Sequence, residues 1–354
     1  MSPHALIDCD VHSNIPPAEL ARRLPARWRR VVEDFGLRAV KSNAYVPTRP
    51  RAAASRTDTW PPGGGAPGSD MPFVREQLLD RWGVDVAILN PIDALDYAAQ
   101  VPALSEHLFR ALNDWTREAW LDADPRFRST MTVPFEYGSM AVREIERLAS
   151  DDRFVSVMLV VAPREPLGHR RYWDVYEAAA GLDLPVVVHV GGIGNSTVTG
   201  AGWYSFYFED HMAGAHAMAT QLMSLVCQGV FDRFPTLKVV LEEGGLAWAP
   251  PLMWALDSAW SQLRHEVPHL DRRPSEIVRE HFWFTTQPID EPDDPAHMVT
   301  VLEHLGMHDR IMFATDYPHW DFDAPDHALP RGLPEDVRRA IFAGNAADLF
   351  GLTR

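Results

Sequence analysis

Acidic and imidazole side chains stand at the ends of several short apolar segments in this sequence of 354 residues. Residues 311–315 are apolar or small, and the segment stops at Asp316, with His319 close behind it. A carboxylate at the end of a buried strand is costly unless its charge has a purpose, such as binding a cation or moving a proton. The alternative is a structural carboxylate that caps the turn at Pro318.

The same pattern recurs elsewhere in the chain, and its recurrence favours a metal site. Asp10 and His12 lie two residues apart on a predicted strand, so both point to one side and are about 7 Å apart along the chain. His189 and Glu243 end two further apolar segments. Each residue alone has an ordinary structural interpretation, such as a hydrogen-bonded core histidine. Imidazoles and carboxylates that converge from separate strand ends are typical of a divalent metal site.

The alternation of side chains along a strand predicts which neighbours belong to this site. On the first strand, Asp8, Asp10 and His12 are expected to share one face, with Asp8 one step deeper as support for the other two. Glu242 and Glu243 are adjacent in the chain. The alternation predicts that only Glu243 of this pair faces the site.

Strand-length apolar segments alternate with helix-length segments along the chain. Several are continuous apolar runs, as expected for strands that are buried on both faces. Eight such units in a chain of this length predict one α/β domain over residues 1–354, a (β/α)₈ TIM barrel with its site at the carboxyl ends of the strands. An open doubly wound sheet is the alternative, although no glycine-rich nucleotide-binding motif follows the strands. The predicted strands are residues 6–12, 85–90, 129–135, 155–161, 184–190, 237–243, 281–286 and 311–316.

Residues 41–72 interrupt this rhythm with a stretch rich in Pro, Gly, Ala and Ser. Such a segment cannot bury a core, so it is predicted to be a long inserted loop. Long loops in compact domains often cover binding sites, and this one is expected to help close the pocket. Arg51 within it is a candidate to bind a substrate carboxylate. A surface loop without function is the alternative.

Composition excludes several classes of partner. The formal net charge is −16, which argues against binding to nucleic acid or to anionic membranes. No apolar run approaches the ~18 residues of a membrane span, and the amino terminus lacks the apolar region of a signal peptide. Two cysteines do not make a disulfide framework. We therefore expect a cytoplasmic protein, and we further expect a homodimer.

Five motifs together resemble the amidohydrolase superfamily, closest to the branch of aminocarboxymuconate-semialdehyde decarboxylase and the resorcylate-type decarboxylases. They are Asp-x-His on the first strand, VVVHVGG, LKVVLEEGGLAWAP, FATDYPH and GNAADLFGL. The likeness covers almost the whole chain outside the loop 41–72. It implies one divalent ion, with zinc expected and manganese or iron as alternatives. The ligands that the resemblance implies are Asp10, His12, His189 and Asp316.

Two positions depart from that branch. Its decarboxylases usually have His or Glu where Asp10 stands, and a histidine before the Gly-Gly pair where this chain has Glu243. A glutamate there can be a base or a further ligand, but it cannot be a cationic hydrogen-bond donor.

The resemblance implies decarboxylation of a small aromatic or unsaturated carboxylic acid, with Asp316 as the group that moves a proton. The alternative is a metal-dependent hydrolase or hydratase that acts on an amide, lactone or ester with Glu243 as the base. A barrel that binds a metal without catalysis is the third interpretation. The side chains expected to contact the substrate are Trp320, His319, Arg51 and His211.

Overall fold

Eight parallel strands form the centre of the protein. The computed structural model describes residues 5–37, 55–91, 97–98, 100–192, 199–202 and 204–352. The strands are β1 Ile7–Val11, β2 Val86–Leu89, β3 Phe127–Thr132, β4 Phe154–Ala162, β5 Val186–Gly192, β6 Val239–Glu242, β7 Phe282–Thr285 and β8 Ile311–Met312. They pair in chain order from β1 to β8. Backbone bonds from Cys9 and His12 to Phe313 and Tyr317, at 3.0 and 2.8 Å, join β1 to the segment after β8. The predicted (β/α)₈ barrel is confirmed.

Every predicted strand overlaps an observed one, and β8 differs most because it is much shorter than predicted. Beyond Met312 the backbone leaves β7 for other partners. The N–H of Phe313 donates to Ile341 O at 3.0 Å. The N–H of Ala314 donates to Thr286 Oγ1 at 3.2 Å. The polar end of this segment is therefore held by side chains and by β1 rather than by a regular ladder.

The apolar core has two parts, one inside the barrel and one between the strands and the helices. Inside the barrel, small side chains such as Cys9, Val187 and Ala314 pack together. Outside, Leu159 and Leu241 belong to the larger cluster that the helices cover. Both strand faces are buried, which explains the continuous apolar runs in the sequence.

Helices connect the strands on the outside of the barrel. None of the described helices is long and apolar enough to cross a membrane. The helices are α1 Pro17–Arg23, α2 Ala26–Phe35, α3 Met71–Val74, α4 Pro102–Thr116, α5 Gly138–Leu148, α6 Trp173–Gly181, α7 Tyr207–Cys227, α8 Val230–Arg233, α9 Ala249–Leu263, α10 Pro274–His281, α11 Pro295–Leu305, α12 Glu335–Arg339 and α13 Asn345–Leu349.

The last helix, α13, lies at the amino end of β8. Its Asn345 amide donates to His308 O and Ile311 O, both at 2.7 Å. Ala346 and Ala347 pack into the cluster inside the barrel. One end of the barrel is therefore closed by apolar packing, and the polar strand ends face the other way.

The described part of the predicted loop, residues 55–72, contacts the segments that follow β1 and β8. Arg56 N–H donates to Pro318 O, and Asn14 N–H donates to Gly68 O, both at 2.9 Å. Ser55 pairs with His319 in an isolated bridge. This part lies beside the polar strand ends. Residues 38–54 are outside the described residues, so closure of the pocket by the loop stays a prediction.

The contact of Gly68 with the segment after β1 can be tested by a single methyl group. The φ angle of Gly68 is +77°, and a Cβ there would lie 2.4 Å from His12 O, whereas a Cβ on Gly64, at φ +90°, would meet nothing within 4 Å. Both Ala variants strain the backbone, but only Gly68→Ala adds a clash. We expect Gly68→Ala to lower the free energy of unfolding by ~1–3 kcal/mol more than Gly64→Ala does, measured by urea denaturation. Equal losses would show that the contact does not constrain the fold.

Candidate metal centre

The predicted ligands meet at the polar end of the barrel. Asp10 lies on β1, His12 directly follows it, His189 comes from β5, and Asp316 follows β8; all four side chains are buried. The potential ligand atoms of Asp10, His12, His189 and Glu243 lie within 4.8 Å of one another, and those of His12, Asp316 and His319 form a second such group. His12 belongs to both groups and stands at the centre of the site.

The first strand departs from the predicted alternation. Its pairing with β2 slips by one residue after Asp8, as in a β-bulge, and Cys9 points into the apolar interior. The Asp8 carboxylate accepts hydrogen bonds from Thr315 N at 2.9 Å and Thr315 Oγ1 at 2.6 Å. The prediction that Asp8 shares one face with Asp10 and His12 is therefore wrong. Asp8 instead fixes the residue that precedes Asp316.

Two imidazoles hold one oxygen of Asp316. Oδ1 lies 2.7 Å from His12 Nε2 and 2.7 Å from His319 Nδ1. Despite its burial, the pKa of Asp316 stays well below its usual range because of the charge of His319 and the hydrogen bond from His12. Burial lowers the pKa of His12, but the carboxylates of Asp10 and Asp316 outweigh it and raise the value to about 9. The histidines therefore offset part of the negative charge at this site.

The hydrogen bonds of the histidines leave Nε2 as the ligand atom. His12 Nδ1 lies 2.8 Å from Asn90 O, and His189 Nδ1 lies 2.7 Å from Val190 O. Because a carbonyl oxygen only accepts, both Nδ1 atoms carry a hydrogen. Ligand histidines commonly use the other ring nitrogen in this way. Each ring therefore presents Nε2 to the remaining site residues.

Unpartnered atoms at the centre fit a cation. Asp10 Oδ2 and His189 Nε2 are buried, lie 3.3 Å apart, and make no well-aligned hydrogen bond to the described residues. His319 Nε2 is likewise buried without a hydrogen-bond partner there. Buried polar atoms are rarely left unpaired unless a water or an ion satisfies them. Imidazole and carboxylate donors suit zinc or manganese.

Glu242 and Glu243 both belong to the site, so the prediction that only one of them faces inward is wrong. Val240 packs inside the barrel, and strict alternation therefore brings Glu242 to the inner face. Glu242 Oε2 accepts from Asn90 Nδ2 at 2.9 Å, and the same nitrogen donates to Asp10 Oδ1 at 3.0 Å. Glu243 has a left-handed φ of 60°, which breaks the alternation and returns its side chain to the site.

Glu243 approaches His189 from the side away from the predicted ligand atom. Its Oε2 lies 3.2 Å from His189 Nδ1, whereas Nε2 of that ring faces Asp10. Burial raises the pKa of Glu243, and the charge of Asp316 raises it further. Burial, followed by the charge of Asp10, likewise raises the pKa of Glu242. This position suits Glu243 to orient the imidazole, a role that carboxylates often have beside ligand histidines.

Two amide side chains were missed by the sequence analysis. Asn90 is the polar last residue of the predicted strand 85–90, which is the same signal that identified the other site residues. Gln287 follows β7 and donates to Asp316 Oδ2 at 3.2 Å. Both amides are neutral and weak metal ligands, so a prediction based on ligand residue types does not include them.

Three of the four predicted substrate contacts lie around the metal centre. His319 bonds Asp316 directly. Trp320 is 53% exposed, and its Nε1 donates to Tyr207 Oη at 3.2 Å. The ring of His211 lies 5.4 Å from that of Trp320. These rings form an aromatic rim beside the ligands. Arg51 lies outside the described residues.

Removal of His189 tests the predicted ligand set. We expect His189→Ala to retain far less divalent metal than the unmutated protein, because a buried ligand is lost. The matched control is His216→Ala, since His216 is an exposed histidine on α7. The metal content of all three proteins is measured by elemental analysis after dialysis. Equal, near-stoichiometric metal in His189→Ala would exclude His189 as a ligand.

Comparisons with known proteins agree with this architecture. A curated relative, the gamma-resorcylate decarboxylase of Polaromonas sp. (strain JS666 / ATCC BAA-500), is 26% identical over 314 residues, which are 82% of this chain and 94% of that protein. A solved structure of a dihydroxybenzoic acid decarboxylase from Polaromonas sp. JS666, with bound manganese and the inhibitor 2-nitroresorcinol, is 21% identical. It superposes with a TM-score of 0.67 over 99% of this chain and 98% of that chain.

A 5-carboxyvanillate decarboxylase from Novosphingobium aromaticivorans DSM 12444, solved with manganese and 4-hydroxy-3-methoxy-5-nitrobenzoic acid, is 18% identical. Its TM-score is 0.73 over 99% of this chain and 96% of that chain. At these identities the two structural matches concern the fold. The predicted branch is confirmed, because decarboxylases of aromatic acids are among the relatives. The family model described as amidohydrolase matches residues 7–352, and the chain therefore belongs to the amidohydrolase family of enzymes.

Proposed function

We propose that this enzyme removes carbon dioxide, without oxidation, from a small aromatic carboxylic acid that carries a neighbouring hydroxyl group. The observation that carries the proposal is the buried pair of Asp316 and His319, joined at 2.7 Å beside the metal ligands. Such a pair can deliver a proton in a site from which most water is excluded. The curated decarboxylase relative, matched over 94% of its length, supports the same chemistry.

Asp10, His12, His189 and Asp316 are proposed to hold one divalent ion. When bound, such an ion polarises oxygen atoms of the substrate and balances negative charge. Two of the related structures contain manganese, and imidazole with carboxylate suits manganese and zinc alike. We propose manganese or zinc, to be identified by elemental analysis.

The proposed reaction is a proton transfer followed by loss of the carboxylate. Because its pKa is low, Asp316 does not keep a proton at rest. It receives one across the hydrogen bond with His319 as the reaction begins, and it passes that proton to the ring carbon bearing the carboxylate. The bond from this carbon to the carboxylate carbon then breaks. Its electron pair returns to the ring and restores aromaticity, and carbon dioxide leaves. One proton is consumed, and neither oxidant nor reductant is needed.

The aromatic rim is proposed to hold the substrate ring. Trp320 and Tyr207 are joined through their polar atoms, so each limits the motion of the other. Flat apolar faces at this position suit a planar substrate. His211 is the nearby group that can carry positive charge, because its hydrogen bond to Asp321 raises its pKa. Arg51 stays a predicted second contact for a carboxylate.

A second candidate is hydrolysis or hydration with Glu243 as the base. The observation in its favour is the Glu243 carboxyl group, whose Oε2 is 3.2 Å from His189 Nδ1 at the metal centre. In its ionised form the Glu243 carboxylate can accept a proton from an attacking water, and a raised pKa makes it a stronger base in that form. The two candidates require different residues to move the proton, so they can be separated by substitution.

Homodimerisation and a cytoplasmic location also stay predictions.

Glu243→Gln and Asp316→Asn divide the two chemistries. We expect the unmutated, metal-loaded enzyme to release carbon dioxide from hydroxybenzoates. Asp316→Asn should lower the rate by ~10²–10⁴-fold because the proton carrier is lost, whereas Glu243→Gln, which still orients His189, should lower it by less than ~10-fold. Carbon dioxide release is followed with a coupled assay, and metal content is measured in each variant.

Two outcomes would overturn the decarboxylase proposal. The first is absence of carbon dioxide release across hydroxybenzoates and unsaturated dicarboxylates, together with hydrolysis of a lactone, ester or amide. The second is a rate toward the true substrate that falls by ~10²-fold or more in Glu243→Gln with its metal retained, since Glu243 would then be the base.

A further inference from the structure

One side chain connects the metal centre with a second carboxylate. Gln287 is fully buried, and its Nε2 lies 3.2 Å from Asp316 Oδ2 and 2.9 Å from Asp321 Oδ2. Carboxylate oxygens only accept, so the NH₂ end of the amide must face both of them. Its two hydrogens can serve these two carboxylate acceptors, and Asp321 O is a further, longer contact of the same nitrogen at 3.4 Å. This bridge accordingly fixes the orientation of the amide and of both carboxylates.

The second carboxylate continues the connection to the pocket rim. Asp321 Oδ2 lies 3.3 Å from His211 Nε2. His211 is on α7, and its ring lies 5.4 Å from that of Trp320. A continuous chain of polar contacts therefore runs from Asp316 through Gln287 and Asp321 to His211. Its two ends are the proposed proton carrier and an imidazole of the aromatic rim.

The oxygen of the same amide, Gln287 Oε1, is available to accept a hydrogen bond from a ligand or a water. Gln287 Oε1 is buried and makes no hydrogen bond to the described residues. A buried carbonyl oxygen normally receives a hydrogen bond from protein, water or ligand. Since Nε2 of the same amide lies against Asp316, Oε1 is close to the reacting groups. It is an acceptor that suits the hydroxyl group of the proposed substrate class.

We propose that Gln287 and Asp321 are positioning residues, which set Asp316 for proton transfer and hold His211 toward the carboxylate of the substrate. The substrate part of this inference rests on the proposed function, whereas the effect on metal binding does not. Asp316 Oδ1 is held by His12 and His319. The bond from Gln287 holds Oδ2, so both oxygens of the carboxylate are fixed.

Gln287→Met tests the metal end of the bridge, because methionine has a similar length but lacks both the NH₂ group and the carbonyl oxygen of the amide. We expect metal binding, measured by competition with a chelator, to weaken by ~10- to 100-fold, since the orientation of a ligand is lost. Gln287→Glu is the second variant. It keeps the side-chain length but sets a third carboxyl group between Asp316 and Asp321, and it should also weaken metal binding.

Asp321→Asn tests the rim end. The change keeps the shape of the side chain but removes the charge that holds His211. We expect KM to rise by ~10-fold or more, with kcat within ~3-fold and metal affinity unchanged, because an interaction with bound substrate is lost. The matched control is Asp323→Asn, the same change two residues later. Asp323 Oδ2 accepts from Ile289 N–H at 3.4 Å, so its loss should leave KM unchanged.

The outcomes separate this inference from the proposed function. Unchanged metal affinity in both Gln287 variants, once circular dichroism shows that they are folded, overturns the bridge. Kinetics of Asp321→Asn that match those of Asp323→Asn overturn the role at the rim. If the unmutated enzyme decarboxylates nothing, the proposed function fails, but the metal affinities of Gln287→Met and Gln287→Glu still decide whether the bridge positions Asp316.

Discussion

The structure depends on compensation of negative charge that is buried at the polar end of the barrel. Asp10 and Asp316 are fully buried within contact distance of histidines. A buried charge is costly unless it is paired and hydrogen-bonded. His12, His189 and His319 supply part of the compensation. Asp10 Oδ2 and His189 Nε2, which lie 3.3 Å apart without a well-aligned hydrogen bond to the described residues, mark the place where a cation would supply the rest.

The barrel brings these buried charged residues together at one end of the protein. Parallel strands bring residues that are distant in sequence to one end, over an interior of small apolar side chains. Glu243 and Asp316 both have left-handed φ angles, of 60° and 57°, although neither is glycine. Such conformations persist only when the surroundings fix them, and they are concentrated at functional sites. At both strand ends the left-handed backbone turns the carboxylate toward the centre of the site, and this conformation is strained for a residue other than glycine.

The sequence predicted the strands, and it identified the residues that converge at the polar end of the barrel, because both leave direct signals. Strands buried on both faces read as continuous apolar runs, and polar residues that end such runs are visible in the sequence. The errors arose where one residue changes the alternation. A bulge after Asp8 and the left-handed Glu243 each move a side chain to the other face, and tertiary contacts decide such local events. Gln287 follows β7 rather than ending its predicted strand, and its amide is recognised only through its contacts with two carboxylates.

The most direct test of the metal centre is an anomalous difference map from crystals loaded with manganese. We expect one peak, about 2 Å from His12 Nε2, His189 Nε2 and carboxylate oxygens of Asp10 and Asp316. The His12 and Asp316 side chains, now in contact at 2.7 Å, should move to share it. A fully loaded protein with its peak elsewhere, or a map without a peak in which this contact persists, would show that these four residues do not bind the metal.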